Sequence, residues 1–148
     1  MDLLLNWIKY NLQAAYQKHD LEKDQAERKL AQENLDNRNN GIITDIRFIA
    51  QSLITQQCEI TEGVLRIHHL ADALDTDIMK QDQFAAIHRH FNDCKDMAIK
   101  EAYKNLPKKE RFQQDMKRLR LEEENKDRIL EESVLIMKYS FSNLKNLH

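Results

Sequence analysis

Two glycines and one proline in 148 residues leave this chain few ways to turn sharply. Hairpins, tight turns and phosphate-cradling loops draw on glycine for positive φ and on proline for a pre-set φ. A strand-rich or loop-rich fold is therefore disfavoured. The remaining sequence is rich in Leu, Ala, Gln, Glu, Lys and Arg, which lose little rotamer freedom in a helix. Apolar residues, 41% of the chain, recur every three to four positions, so the 32% of charged residues read as solvated helix faces and not as disorder. The expected fold is all-α: a helical bundle of about four to five helices with a long projecting N-terminal helix. A chain of this length can bury a core without disulfides or a structural metal.

From Asp2 to about Arg38 nothing breaks a helix. Leu5, Ile8, Leu12, Ala15 and Tyr16 repeat at helical spacing, and His19, Ala26 and Leu30 continue the stripe more weakly. At about 1.5 Å per residue such a helix runs roughly 55 Å. Its second half is dominated by charge, with Asp24 and Arg28 at the supportive i,i+4 spacing. Asn37, Arg38, Asn39, Asn40 and Gly41 then predict a break, because Asn and Gly tolerate the left-handed conformation that ends helices. This divides the chain into an N-terminal helix over 1–39 (a possible coiled coil or interface), a bundle core over 40–140, and a frayed tail over 141–148.

Within the core region, Ile42, Ile43, Ile46, Ile49, Ala50, Leu53 and Ile54 cover more than one helix face and predict a central position. Thr61 is the expected N-cap of the next helix, with Val64, Leu65, Ile67, His68, Ala71 and Leu74 on its inner side. Asp75, Thr76 and Asp77 predict a polar turn. Asp82 is expected to cap a helix burying Phe84, Ile87, Phe91, Cys94 and Ala98. Pro107 predicts the start of a last long helix. That helix is expected to pack at its two ends, through Phe112, Met116 and Leu119 and through Ile129, Leu130, Val134 and Met137. Its charged stretch from Glu122 to Arg128 is expected to be wet, with Glu122–Lys126 and Glu124–Arg128 paired.

Chemistry-bearing patterns are sparse. His68 and Asp72, and likewise His90 and Cys94, stand four apart, so each pair could share a helix face, and the four together are the candidate metal ligands. A di-iron bundle needs Glu-x-x-His twice; the residues three before the histidines are Tyr16, Leu65, Arg66, Ala85, Ile87 and Lys145, so that pattern is absent. The favoured reading makes His68 a hydrogen-bonded core histidine and places His69, His88 and His90 near the surface. Cys58 and Cys94 read as small core hydrophobes in a reducing compartment, ahead of a disulfide or redox pair. Glu59 and Glu62 flank Thr61 as first-turn acids more naturally than as a catalytic dyad. No G-x-x-x-x-G-K, G-x-G-x-x-G or G-x-S-x-G motif occurs. No catalytic residue, metal or cofactor is expected, and the chain is read as not an enzyme.

Formal net charge is −2, which supplies no global pull toward nucleic acid, and none is expected as a partner. A basic run from Lys104 to Arg120 reverses sign at Glu122, Glu123 and Glu124. That reversal fits a solvated face with complementary ends for self-association, ahead of an acidic protein partner. Candidate partner-binding residues are Leu5, Ile8, Leu12, Lys108, Lys109, Arg111 and Arg118. The opening cluster Leu3, Leu4, Leu5, Trp7 and Ile8 is interrupted by Asn6 and Lys9, short of the about 20 apolar residues a spanning helix needs. It has no signal-peptide order of zones. The expected location is cytoplasmic, with peripheral contact at the inner membrane as the alternative.

The stretches Asp45-Ile-Arg-Phe-Ile-Ala-Gln-Ser-Leu53 and Gln57-Cys-Glu-Ile-Thr-Glu-Gly-Val-Leu-Arg-Ile67, with Lys108-Lys-Glu-Arg111 and Arg120-Leu-Glu-Glu123, resemble an uncharacterised gammaproteobacterial helical family, a domain of unknown function, over about residues 40–128. The resemblance implies a helical bacterial protein and supplies no activity. It also implies relatives that open on a longer apolar anchor than the shorter, more polar start here. It draws attention to Glu59, Glu62, Gly63 and Arg66. Gly63 inside a first helical turn costs about 1 kcal/mol against Ala, which close packing of a neighbour would explain better than a ligand. The expected role is a non-enzymatic interaction or scaffold protein acting as a homo-oligomer or on a protein partner. A peripheral membrane protein and a cryptic metal-binding or enzymatic protein are the alternatives.

Overall fold

A computed structural model describes residues 2–142. The described residues are mostly helical, without a strand, in keeping with the scarcity of turn-formers. Helices α1 (Asp2–Ile54), α2 (Ile60–Leu74), α3 (Ala85–Cys94), α4 (Lys100–Lys104) and α5 (Lys108–Lys138) follow in order, with a 3-10 turn at Asp82–Phe84 leading into α3. The chain divides into two compact units, Met1–Arg38 and Asn39–His148.

In the first unit, α1 buries none of its side chains; the buried residues of this helix begin at Asn39. Leu5, Ile8, Leu12 and Tyr16 are exposed.

The predicted break at Asn37–Gly41 is absent, because α1 runs unbroken to Ile54. Gly41 does not take positive φ, and Asn39 is buried. The buried stripe that begins at Asn39 and continues through Ile46, Ile49 and Leu53, together with the cost of nucleating a new helix, outweighs the weak propensity of these few residues. The Thr44 hydroxyl donates to the Asn40 carbonyl at 2.9 Å, a bond made within a continuing helix. The helix ends instead at Gln56, whose φ is 59° and whose N–H donates to the Leu53 carbonyl.

The core of the second unit combines Ile46, Ile49, Ala50 and Leu53 of α1 with Val64, Ile67, Ala71 and Leu74 of α2, Phe84, Ala86 and Ile87 around the start of α3, and Ile129 and Ile136 of α5. Helix α3 lies against both α2 and α5. Gly63 is where α2 meets α1: a Cβ there would stand 2.5 Å from Leu53 Cδ2. Asp75 makes the predicted turn, its Oδ1 accepting the Asp77 N–H at 2.9 Å.

Thr61 is not a cap; Glu59 holds the N-cap position, and Thr61 is buried one residue into α2. Asp82 opens the 3-10 turn and does not cap α3, which ends at Cys94, short of Ala98. Helix α5 turns Asn125, Ile129, Glu132, Ser133 and Ile136 inward, with Leu130 and Met137 packed against the core; of the charged stretch Glu122–Arg128 only Asn125 is buried, whereas Phe112, Met116, Leu119 and Val134, expected to pack, are exposed. The inward set repeats at i, i+4, i+7, i+8 and i+11 from Asn125, a helical stripe that includes polar residues. Glu122 and Glu124 pair backward with Arg118 and Arg120, one turn earlier than expected. Of the supposed frayed tail, Phe141 is buried and packs edge-on against Tyr139, under the Arg47 guanidinium; residues 143–148 lie outside the described residues.

Candidate functional site

Helix α3 presents two faces, and they separate its histidines. His90 lies with Ile87 and Cys94 on the face turned to the core, while His88 lies with Phe91 and Asn92 on the other. His90 is fully buried and not near the surface as expected. Its Nδ1 stands 3.1 Å from Asn125 Nδ2, and its Nε2 3.0 Å from Thr61 Oγ1. Thr61 in turn donates to Glu122 Oε1 at 3.1 Å, and Arg118 Nη1 donates to that same oxygen at 2.8 Å.

These contacts fix the tautomer. An ionised Glu122 only accepts, so the single Thr61 hydroxyl proton points at it. Thr61 must then accept from His90, which places the imidazole proton on Nε2. Nδ1 is left as the acceptor for the Asn125 amide. Burial pushes the His90 pKa down, against the opposing pull of Glu122 and Asp93, which favours the neutral ring. Burial alone would lower the Arg118 pKa, but its hydrogen bond and ion pair with Glu122 raise it overall.

Cys94 Sγ sits 3.7 Å from His90 Nε2. This thiol–imidazole pair is not set for nucleophilic catalysis. Burial raises the Cys94 pKa, outweighing the neighbouring Thr61, and the imidazole lone pair at Nδ1 is taken by Asn125. Cys58 is half-buried and its thiol is likewise raised by burial, with Glu62 adding to the effect. Both cysteines are free.

The second cluster joins α2 to the outer face of α3. His68 is buried, its ring parallel to Phe91 with centroids 3.6 Å apart and planes 4° apart. Its Nε2 lies 2.9 Å from His88 Nδ1, and His88 Nε2 lies 3.2 Å from Asn92 Nδ2. With the Asn92 amide donating to His88 and His88 Nδ1–H donating to His68, the remaining His68 proton sits on Nδ1. That atom is 3.1 Å from Asp72 Oδ2, although it misses hydrogen-bonding geometry. Burial lowers the His68 pKa, with Asp72 opposing.

The four candidate ligands therefore do not converge: His68 and Asp72 belong to one cluster, His90 and Cys94 to the other. Among the described residues no group of three His, Cys, Asp or Glu side chains could hold a metal ion. Sequence reasoning missed Thr61, Glu122, Asn125 and Glu132 as network residues. Both oxygens of Glu132 accept backbone N–H groups at the start of α3, from Ala86 and from Ile87 at 2.9 Å each. The signal available for Glu122, Asn125 and Glu132 was their shared face with Ile129 and Ile136 on α5.

A cleft of about 370 Å³ opens beside the His90 network, walled by Thr61, Cys94, Ile99, Tyr103, Gln114 and Arg118 among others. Of its polar wall, Thr61, Tyr103, Gln114, Asp115 and Arg118 are engaged within the protein, and Glu59 and Lys100 line it as well. Gln114 clamps both the N–H and the carbonyl of Ala98, and the Tyr103 hydroxyl donates to Asp115 Oδ2 at 2.6 Å.

The basic candidates divide as well. Lys108 and Lys109 are exposed, Arg111 is half-buried with its Nε enclosed, and Arg118 is held by Glu122 and Asp115. Leu5, Ile8 and Leu12 are exposed in the first unit. No described helix is long and apolar enough to cross a membrane.

No curated protein and no solved structure matches this chain. A family of proteins of unknown function, DUF2489, matches residues 5–136, extending the resemblance beyond the stretch that suggested it. Given the all-α fold and a match over most of its length, the chain belongs to the DUF2489 family.

Proposed function

We propose that this protein is a non-enzymatic helical scaffold that self-associates through the first half of α1. The observation that carries the reading is the exposed stripe of Leu5, Ile8, Leu12 and Tyr16 on a segment that buries no side chain of its own. Helices in proteins draw most of their stability from packing an apolar face, and contiguous exposed apolar surface marks an interaction site. The His90 network supports the non-enzymatic half of the reading, since both ring nitrogens are engaged by Thr61 and Asn125 and Glu122 is held by Thr61 and Arg118. Sedimentation equilibrium of the full chain tests it. A dimer or higher oligomer is expected, converted to monomer by Leu5→Asp, Ile8→Asp and Leu12→Asp together; a monomer at all concentrations contradicts the reading.

A second reading is favoured by Leu3, Leu4, Trp7 and Tyr10, exposed outside that stripe. An apolar arc this wide, with Trp and Tyr in it, suits a helix lying in a membrane surface. Vesicle flotation of the full chain, with and without Trp7→Asp, separates the two.

A further inference from the structure

We infer that Phe112, Met116 and Leu119 of α5 form a docking face for α1 of a second copy of this chain, a partner choice that rests on the self-association reading. The three side chains are 65%, 51% and 51% exposed, at i, i+4 and i+7 on one side of α5, away from its buried stripe. No described segment of the second unit covers them. Leu12 and Tyr16 of α1 are 65% and 74% exposed at the matching spacing. The α5 stripe is about two turns of apolar helix surface facing water and Leu12–Tyr16 a little over one, which two copies can bury against each other.

Charge selects the occupant and its direction. On α5, residues 108–120 carry Lys108, Lys109, Arg111, Lys117, Arg118 and Arg120 against Glu110 and Asp115, a net of +4. Residues 122–127 carry Glu122, Glu123, Glu124 and Asp127 against Lys126, a net of −3. On α1, residues 2–18 carry Lys9 and Lys18 against Asp2, a net of +1, and residues 20–24 carry Asp20, Glu22 and Asp24 against Lys23, a net of −2. Laid parallel, positive meets positive. Laid antiparallel, with Leu12 and Tyr16 on Leu119, Met116 and Phe112, the acidic turn at Asp20–Asp24 reaches Lys108 and Lys109, and Lys9 reaches Glu123. The spacing agrees: Tyr16 to Asp24 and Met116 to Lys108 are each eight residues, about 12 Å of helix.

One α1 and one α5 face per chain make the contact reciprocal. Two copies related by a two-fold axis form two identical helix pairs and close the assembly as a dimer.

The test is the dimer dissociation constant of the full chain, by sedimentation. Lys108→Glu with Lys109→Glu should weaken the dimer about tenfold or more, as should Asp20→Lys with Asp24→Lys, and the four changes together should restore it. Circular dichroism must show unchanged helix content in each variant. On the unmodified protein, raising salt from about 0.05 M to about 0.5 M should weaken the dimer as well. A dimer indifferent to salt and to both reversals, or one the fourfold variant does not restore, overturns the α5 face while leaving self-association through α1 standing. A monomeric unmodified chain ends both.

Discussion

Gly63 of α2 and Leu53 of α1 are in such close register that a Cβ on the glycine would meet Leu53 Cδ2 at 2.5 Å and Cγ at 2.8 Å. Leu53 is buried on all sides and cannot swing away. Gly63→Ala gains about 1 kcal/mol of helix propensity but loses about 1–3 kcal/mol to overpacking. The expected net is a destabilised protein, read as a lower urea midpoint. Leu53→Ala alone opens a cavity costing about 2–5 kcal/mol, and the double variant should be less destabilised than the sum of the two singles.

Glu132 substitutes for the missing side-chain cap of α3. Its carboxylate takes the Ala86 and Ile87 N–H groups from across the core, at the positive end of that helix's dipole. Glu132→Ala leaves two buried donors unpaired and should cost about 3 kcal/mol. Glu132→Gln keeps one acceptor oxygen and should lose about half of that. Denaturant titration of both variants checks the order.

Stability should fall in mild acid. His68 and His90 both have pKa values lowered by burial from the ordinary 6.5. Because the unfolded chain binds their protons more readily, the stabilisation is present above about pH 6.5 and is lost as pH falls toward their lower folded values. Urea midpoints between pH 7.5 and pH 5 should decline, and His90→Gln should flatten part of that decline while lowering the neutral-pH midpoint.

Gln56 closes α1 in the left-handed region at φ 59°, where a side chain is strained. Gln56→Gly should stabilise the protein by about 1 kcal/mol, measured as a higher melting temperature.

The helical class was legible because it rests on periodicity that packing rarely overrides: Ile46, Ile49 and Leu53, or Val64, Ile67 and Leu74, stand in the core as their spacing requires. Ends were harder to read. The Asn37–Gly41 run has the residues that permit a stop, but permission is not compulsion when Asn39 is buried and the stripe after it packs into the core as one continuous helix. The buried networks were least legible. Thr61, Asn125 and Glu132 look like surface residues by type, and only partners 29 to 61 residues away in sequence make their burial tolerable. The same distance dependence separated His68 from His90, which spacing alone had grouped.

That this protein works by helix-to-helix docking, and not by chemistry at a pocket, is tested most directly by hydrogen exchange of the full chain followed by mass spectrometry. At concentrations above the dimer dissociation constant, amides of residues 2–38 should be protected, and they should exchange rapidly on dilution below it. Residues 46–53 and 64–74 should stay protected throughout. Rapid exchange over residues 2–38 at every concentration would contradict the account.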